Sequence, residues 1–222
     1  MSNDPDRTAE RERMLDTIRG LFRLTAAETG LADAPPAVID ALRRVPRHRF
    51  VPAHEQVLAY ADMPLSIGQG QTISQPYIVA LMTALLGVGA GARVLEVGTG
   101  CGYQAAVLAE LVTQVYSLEV VQPLADEAAR RLAELGYGNV AVRHGDGYGG
   151  WPGQAPFDGI LITAAPPRVP MTLVRQLRPG AHLVLPVARG GGQVLSVLRR
   201  EADGGVDRRD LLPVAFVPMV HG

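Results

Sequence analysis

The chain has 222 residues, 47% hydrophobic and 19% charged, enough for one domain with a sizeable core. With 21 basic against 22 acidic residues, a formal net charge of −1 and no basic cluster, it lacks the grouped cations that a dedicated nucleic-acid binder needs. Every basic residue is arginine, and the absence of lysine excludes Schiff-base chemistry and the phosphate-gripping lysine of a P-loop.

The N-terminal stretch MSNDPDRTAERERML is charged and has no apolar centre, unlike a secretory signal. Apolar residues at Met14, Leu15, Ile18, Leu21 and Phe22 predict a helix over Arg11 to Leu24. Pro35-Pro36 signals the start of a second helix, Ala37 to Arg44, and Pro46 and Pro52 then impose turns. His48, in an arginine-rich turn, is expected at the surface. From Met63 to Ala92 there is no ionisable side chain of the Asp, Glu, Lys, Arg or His type. This stretch holds GQGQTISQPY (68–77), which reads as a polar loop, and the apolar helix Pro76 to Leu86. Ser74 is placed to cap that helix, two residues before Pro76.

From Arg93 strand and helix alternate. RVLEVG (93–98) is a strand, GTGCG (98–102) a turn and YQAAVLAELV (103–112) a helix. QVYSLEV (114–120) is a strand and LADEAARRLAELG (124–136) a helix. NVAVRHGD (139–146) and FDGILITAA (157–165) are strands, TLVRQL (172–177) is a helix and AHLVLPV (181–187) a strand. Alternation of this kind predicts parallel βαβ units in a doubly wound sheet. GQVLSVLRRE (192–201) and DLLPVAFVPMV (210–220) follow without an intervening helix and predict an antiparallel C-terminal hairpin. His144 and His182 fall in strand-like runs, and Trp151 is placed to pack against the sheet. No apolar run approaches the ~20 residues that span a bilayer. The single cysteine, Cys101, allows no internal disulfide and fits an intracellular compartment, so cytoplasm is the expected location.

The chemistry is concentrated at VLEVGTGCGY (94–103). Glycines at 98, 100 and 102 join a strand to a helix, where the backbone turns sharply and approaches a ligand closely. Dinucleotide loops want GxGxxG, but Tyr103 stands where the last glycine belongs. The spacing GxGxG after acidic Glu96 is similar instead to the S-adenosylmethionine loop of Rossmann-like methyltransferases. Glu119, at the end of the second strand of this region, can accept from both ribose hydroxyls, as it would for NAD too. Asp146, in HGDGY, can accept from an adenine amino group, and its plainer reading is a turn residue before Gly147. TAAPPR (163–168) lacks the polar and aromatic residues that amino-methyltransferases carry around paired prolines, so Pro166-Pro167 reads as a turn. A metal-dependent mechanism would need a carboxylate cluster, and the sequence offers none; no metal is expected.

The segments VPRHRFVP (45–52), AYADMPLSIGQGQTISQPYIVALMTALL (59–86), VLEVGTGCGYQAAVLAEL (94–111), GDGYGGWPGQAPFDGILITAAPP (145–167), QLRPGAHLVLPV (176–187) and VAFVPMV (214–220) together resemble the protein-L-isoaspartate O-methyltransferase family. QTISQPY is the most specific of them. The resemblance implies a single methyltransferase domain over 1–222, with N-terminal helices and substrate loop in 1–90, a cofactor-binding α/β core in 91–190 and C-terminal strands in 191–222. It implies S-adenosyl-L-methionine as cofactor, S-adenosyl-L-homocysteine as product, isoaspartyl proteins and peptides as substrates, and a monomer. It implies Ser74 as the catalytic position. Gln71, Thr72, Ile73, Ser74, Gly98, Thr99, Gly100, Cys101, Gly102, Glu119, Val120, Asp146 and Gly147 become cofactor positions, and Thr72, Ser74 and Val217 substrate positions. GQG at 68–70 replaces a more usual GHG, and Cys101 stands where serine is common. With no histidine placed to activate it, Cys101 reads as a small helix-start residue.

The uncharged stretch then has a chemical reason. The nucleophile is the substrate's own carboxylate, already ionised near pH 7 because free carboxyl groups titrate near 3.3–4.3. No enzyme base is needed; a nearby acid would repel the carboxylate and a close cation would blunt it. Neutral donors that orient it suffice, with water excluded: Ser74, the amides of Gln71 to Ser74, and Thr72. Three other readings remain open on sequence: a methyltransferase for another peptide or small acid, a binding protein without turnover, and an NAD enzyme.

Overall fold

The computed structural model describes residues 6–222, so the first five residues of the N-terminal stretch lie outside it. Helix α1 (Thr8–Leu24) buries Met14, Leu15, Ile18 and Phe22, the stripe its spacing predicts. Each such side chain contributes roughly 1.5–3 kcal/mol on burial. The short α2 (Ala26–Thr29) follows, then α3 (Pro36–Arg44), whose first residue Pro36 has a fixed φ that suits a helix start.

The stretch read as a polar loop is a two-stranded antiparallel hairpin. Strand β1 (Leu65–Gly68) pairs with β2 (Gln71–Ile73), and Leu65 faces Ile73. Its turn residues Gly68, Gln69 and Gly70 all have positive φ. Helix α4 (Pro76–Leu86) has Gln75, not Ser74, as its N-cap residue, and that residue's side chain does not close it. Asp62 does so from a distance. Its Oδ1 accepts from Tyr77 N at 2.8 Å and its Oδ2 from Gln75 Nε2 at 2.6 Å. The nearest acid outside the uncharged stretch thus supplies the cap expected of Ser74.

Seven strands form the main sheet: β3 (Arg93–Val97), β4 (Gln114–Glu119), β5 (Val140–His144), β6 (Phe157–Ile162), β7 (Leu177–Arg189), β8 (Gly192–Arg200) and β9 (Val206–Val214). Their order is β5-β4-β3-β6-β7-β8-β9, parallel from β5 to β7 and antiparallel thereafter. The strand order reverses at β3, and that switch point is where open α/β sheets bind ligands. Successive residues of β3 serve opposite faces. Val94 packs with α1, α3, α4, α5 (Tyr103–Ala109) and α6 (Gln122–Glu134); Leu95 packs on the other side with Phe157, Leu173 and Val174. The second face is covered mainly by the four-residue α7 (Met171–Val174) and by loops, so the winding is uneven. Trp151 packs there, edge-on to Tyr116 with ring centroids 5.5 Å apart, under the guanidinium of Arg143.

Three boundaries differ from expectation. The helix over TLVRQL shrinks to α7, and β7 starts at Leu177 and runs through Pro179-Gly180. The second hairpin strand begins at Val206, taking in the charged DRRD segment, because an edge strand leaves one side to water. It ends at Val214, and the remaining AFVPMV turns back over the sheet. There Ala165 N donates to Val217 O at 2.8 Å and Met219 N donates to Ala165 O at 2.9 Å. Among the described residues no helix is long and apolar enough to cross a membrane.

Candidate active site

The C-terminal ends of β3, β4 and β6 meet at the glycine turn. Gly98 N and Thr99 N both donate to Leu118 O, at 2.8 and 3.2 Å, which ties the turn to β4. Gly98 has φ +98°, and a Cβ there would lie 2.3 Å from Thr163 Oγ1, so only glycine fits. Thr163 in turn donates to Gly98 O at 2.5 Å. Glu119 is buried and organises the turn with both oxygens. Oε2 accepts from Gly100 N at 2.7 Å and Oε1 from Val121 N at 3.0 Å. Each carboxylate oxygen keeps acceptor capacity for a ligand.

Glu96 lies beneath, fully buried. Its Oε2 accepts from Ser117 Oγ, which sits 2.6 Å from Thr99 Oγ1, and its Oε1 has no partner. Burial outweighs the Ser117 bond and pushes its carboxyl up to about 8, with the Glu119 charge adding to the rise. Glu96 is therefore a neutral acid at pH 7, bracing the loop through Ser117.

One cavity opens above this turn, and Gln71, Thr72, Gly98, Gly100, Glu119, Val120, Gly147 and Val217 line it. A narrower recess beside it is lined by Thr72, Ile73, Ser74, Gly98, Thr99, Gly100 and Cys101. A third space, of about 440 Å³, is lined by Thr72, Ser74, Gln75, Ile78 and the 213–217 segment. No arginine or histidine is among the lining residues of the three, and Glu119 is the sole acid. Thr72 and Thr163 belong to all three walls. Ser74 is half-buried, and its hydroxyl has no protein partner among the described residues; its carbonyl accepts from Arg47 Nη2 at 2.8 Å.

Two expected positions sit apart from these walls. Gly102 starts α5, and a Cβ there would meet Leu132 Cδ1 at 3.1 Å, so it serves helix packing. Asp146 follows β5 at the rim. Its Oδ1 accepts from Tyr148 N at 2.8 Å, the turn role, while Oδ2 lies 2.8 Å from His221 Nδ1. Partial burial opposes ionisation, but these hydrogen bonds hold its carboxyl below the usual range. The His221 ring stacks on Tyr148 at 4.1 Å. Neighbouring Gly147 is a close approach: a Cβ there would fall 2.3 Å from Val97 Cγ1. Cys101 is buried, and desolvation raises its thiol, which makes it a poor nucleophile.

His48 is not at the surface. It is buried, with Nδ1 2.8 Å from Tyr60 Oη. Arg47 beside it is also fully buried. Sequence reasoning missed both, as it missed Thr163, whose only signal was a polar residue closing the apolar strand β6. The closing VPMV segment (217–220), which the family resemblance puts near the substrate, is brought by the returning tail into the first cavity, Pro218 and Met219 included.

The family model for protein-L-isoaspartate(D-aspartate) O-methyltransferase matches residues 26–222. Protein-L-isoaspartate O-methyltransferase 2 of Syntrophobacter fumaroxidans is 52% identical over 217 residues, covering 96% of this chain and 87% of the relative. A solved protein-L-isoaspartate O-methyltransferase superposes with a TM-score of 0.82 at 27% identity, over 94% of this chain and 65% of that one. A Plasmodium falciparum structure, described as a beta-aspartate methyltransferase in complex with S-adenosyl-L-homocysteine, shares the fold at a TM-score of 0.74 and 23% identity, over 92% of this chain and 98% of that one. On the strength of a family match from Ala26 to the last residue and of majority identity over nearly the whole length, the chain belongs to the protein-L-isoaspartate(D-aspartate) O-methyltransferase family.

Proposed function

We propose that Ser74 and the amides of Gln71 to Ser74 orient the substrate carboxylate, with Thr72 and Val217 beside it. We assign cofactor holding to Gln71, Thr72, Ile73, Gly98, Thr99, Gly100, Cys101, Glu119, Val120, Asp146 and Gly147, with Gly102 setting the helix that follows. The reaction is methyl transfer to the α-carboxylate of L-isoaspartyl residues in proteins and peptides. The ester lets the succinimide re-form, and hydrolysis of the succinimide returns some normal aspartate.

The observation that carries the assignment is the shared wall. An uncharged space lined by Ser74 adjoins the glycine-turn cavity, and Thr72, Thr163 and Val217 border both. The residues fit the cofactor. Gly98 and Gly147 leave backbone surface that a Cβ would fill, and Glu119 faces the cavity with spare acceptor capacity for ribose hydroxyls. S-adenosyl-L-methionine supplies the electrophilic methyl group when bound. The chain's own work is to hold an already ionised carboxylate with neutral donors and to keep water out, so no residue need move a proton. We also propose a cytoplasmic monomer that does not act on nucleic acid. Both cavities are built from one chain, and the net charge is −1.

Methyl transfer from labelled S-adenosylmethionine to two peptides, one carrying L-isoaspartate and one L-aspartate at the same place, tests the activity. Label on the isoaspartyl peptide alone is expected; label on neither, with cofactor still bound, would point to another peptide or a small acid as acceptor. Glu119→Gln, which keeps the shape and loses the charge, is expected to weaken S-adenosylmethionine binding about tenfold by calorimetric titration, one charged hydrogen bond's worth.

A further inference from the structure

We infer that Arg47 is a positioning residue for methyl transfer, acting through the backbone of Ser74; the inference rests on the assignment of Ser74 above. Arg47 opens the turn Arg47–Phe50 and is fully buried. Its Nε donates to Ala59 O and its Nη2 to Ser74 O, both at 2.8 Å. One planar group therefore fixes the carbonyl that follows the Ser74 side chain to a segment ahead of the hairpin. The guanidinium also lies 4.8 Å from the ring centroid of Tyr103, the first residue of the helix that the glycine turn opens. A single side chain thus touches the Ser74 segment and the helix behind the cofactor turn.

The arrangement is a poor choice for stability alone. Arg47 forms no ion pair among the described residues. The acid whose charge reaches it is Asp62, which already caps α4. Its Nη1 and the nearby Tyr103 Oη are buried and face only each other, without a well-formed hydrogen bond. A buried cation in that state is worse for the fold than an apolar side chain of similar size. What arginine supplies that an apolar residue cannot is a rigid fork that holds two carbonyls at a set distance. Ser74 needs that hold. It follows the three-residue strand β2, and its own side chain is tied to nothing among the described residues. Lysine also carries several donors, but they radiate from one atom on a flexible stem and do not hold two carbonyls at a set spacing.

The test is a double-mutant cycle of Arg47→Lys and Ser74→Ala. It reads kcat and KM for an isoaspartyl peptide and the Kd of S-adenosylmethionine. Arg47→Lys is expected to lower kcat about tenfold while peptide KM and cofactor Kd stay within about threefold. In the Ser74→Ala background the same change is expected to cost less than about twofold more, because the two act as a unit. An unchanged kcat in Arg47→Lys overturns the inference and leaves the Ser74 assignment intact. An equal loss in both backgrounds overturns it too, since Arg47 would then act without Ser74. A loss at Arg47 with none at Ser74 removes the Ser74 assignment and this inference with it. If Arg47→Lys does not fold, Arg47→Gln is read in the same cycle; if neither folds, Arg47 is a fold determinant and the inference falls.

Discussion

Ser74→Ala is expected to lower kcat/KM for an isoaspartyl peptide by about 10- to 150-fold, the equivalent of one hydrogen bond to a charged group at about 1.5–3 kcal/mol. The hydroxyl is half-buried at the wall of the uncharged space and has no protein partner among the described residues, so its bonding capacity faces the ligand. Helix α4 is closed by Asp62, so removing the hydroxyl takes no cap from the fold. The melting temperature and the cofactor Kd are therefore expected to stay near wild type while turnover falls. A base would give a different signature. Were Ser74 a nucleophile or part of a proton relay, activity would fall to background and the remaining rate would acquire a new pH dependence. With an orienting role the variant keeps the wild-type pH profile, because the substrate carboxylate is ionised throughout. A kcat/KM within about twofold of wild type would exclude any hydrogen bond of useful strength from Ser74.

What was legible in the sequence follows the range of the interactions. Strands β3, β4, β5 and β6 are short runs rich in apolar residues, and the turn at 98–102 is a local pattern, so both could be read residue by residue. The hairpin β1–β2 could not. Its strands are four and three residues long and exist only because Leu65 meets Ile73 across the turn. The cap of α4 was misassigned for the same reason, since Asp62 lies 15 residues from the amide it accepts. His48 read as a surface residue, and nothing local marked Arg47 as buried, because charge usually means exposure. Their burial depends on Ala59, Tyr60 and Ser74, which no local spacing reveals. In the same way His221 meets Asp146 across 75 residues, once the tail has turned back on Ala165. Family resemblance supplied Ser74 as a position; the geometry supplies its neighbours.

Glu96 carries the other large expected effect, and it appears in the pH dependence of stability. Its carboxyl is pushed from an ordinary 4.5 to about 8 by complete burial, against a bond from Ser117. Between those values the folded chain holds a proton at Glu96 that the unfolded chain has released. Stability from this group is therefore full below about pH 4.5, falls by about 1.4 kcal/mol per pH unit as pH rises toward 8, and levels above it. Glu96→Gln keeps the shape and a donor like that of the neutral acid, and it cannot ionise. Denaturant unfolding of the two proteins from pH 5 to 9 is expected to show the variant gaining on the wild type as pH rises, by a total on the order of 3–5 kcal/mol, with no further gain above about pH 8. The comparison cancels other carboxylates such as Asp146 and Asp210, whose lowered values make them sources of stability lost on the acid side. A pH-independent difference would mean that Glu96 is ionised in the fold. The loop at Thr99 would then rest, through Ser117, on a charged acceptor buried beneath the cavity.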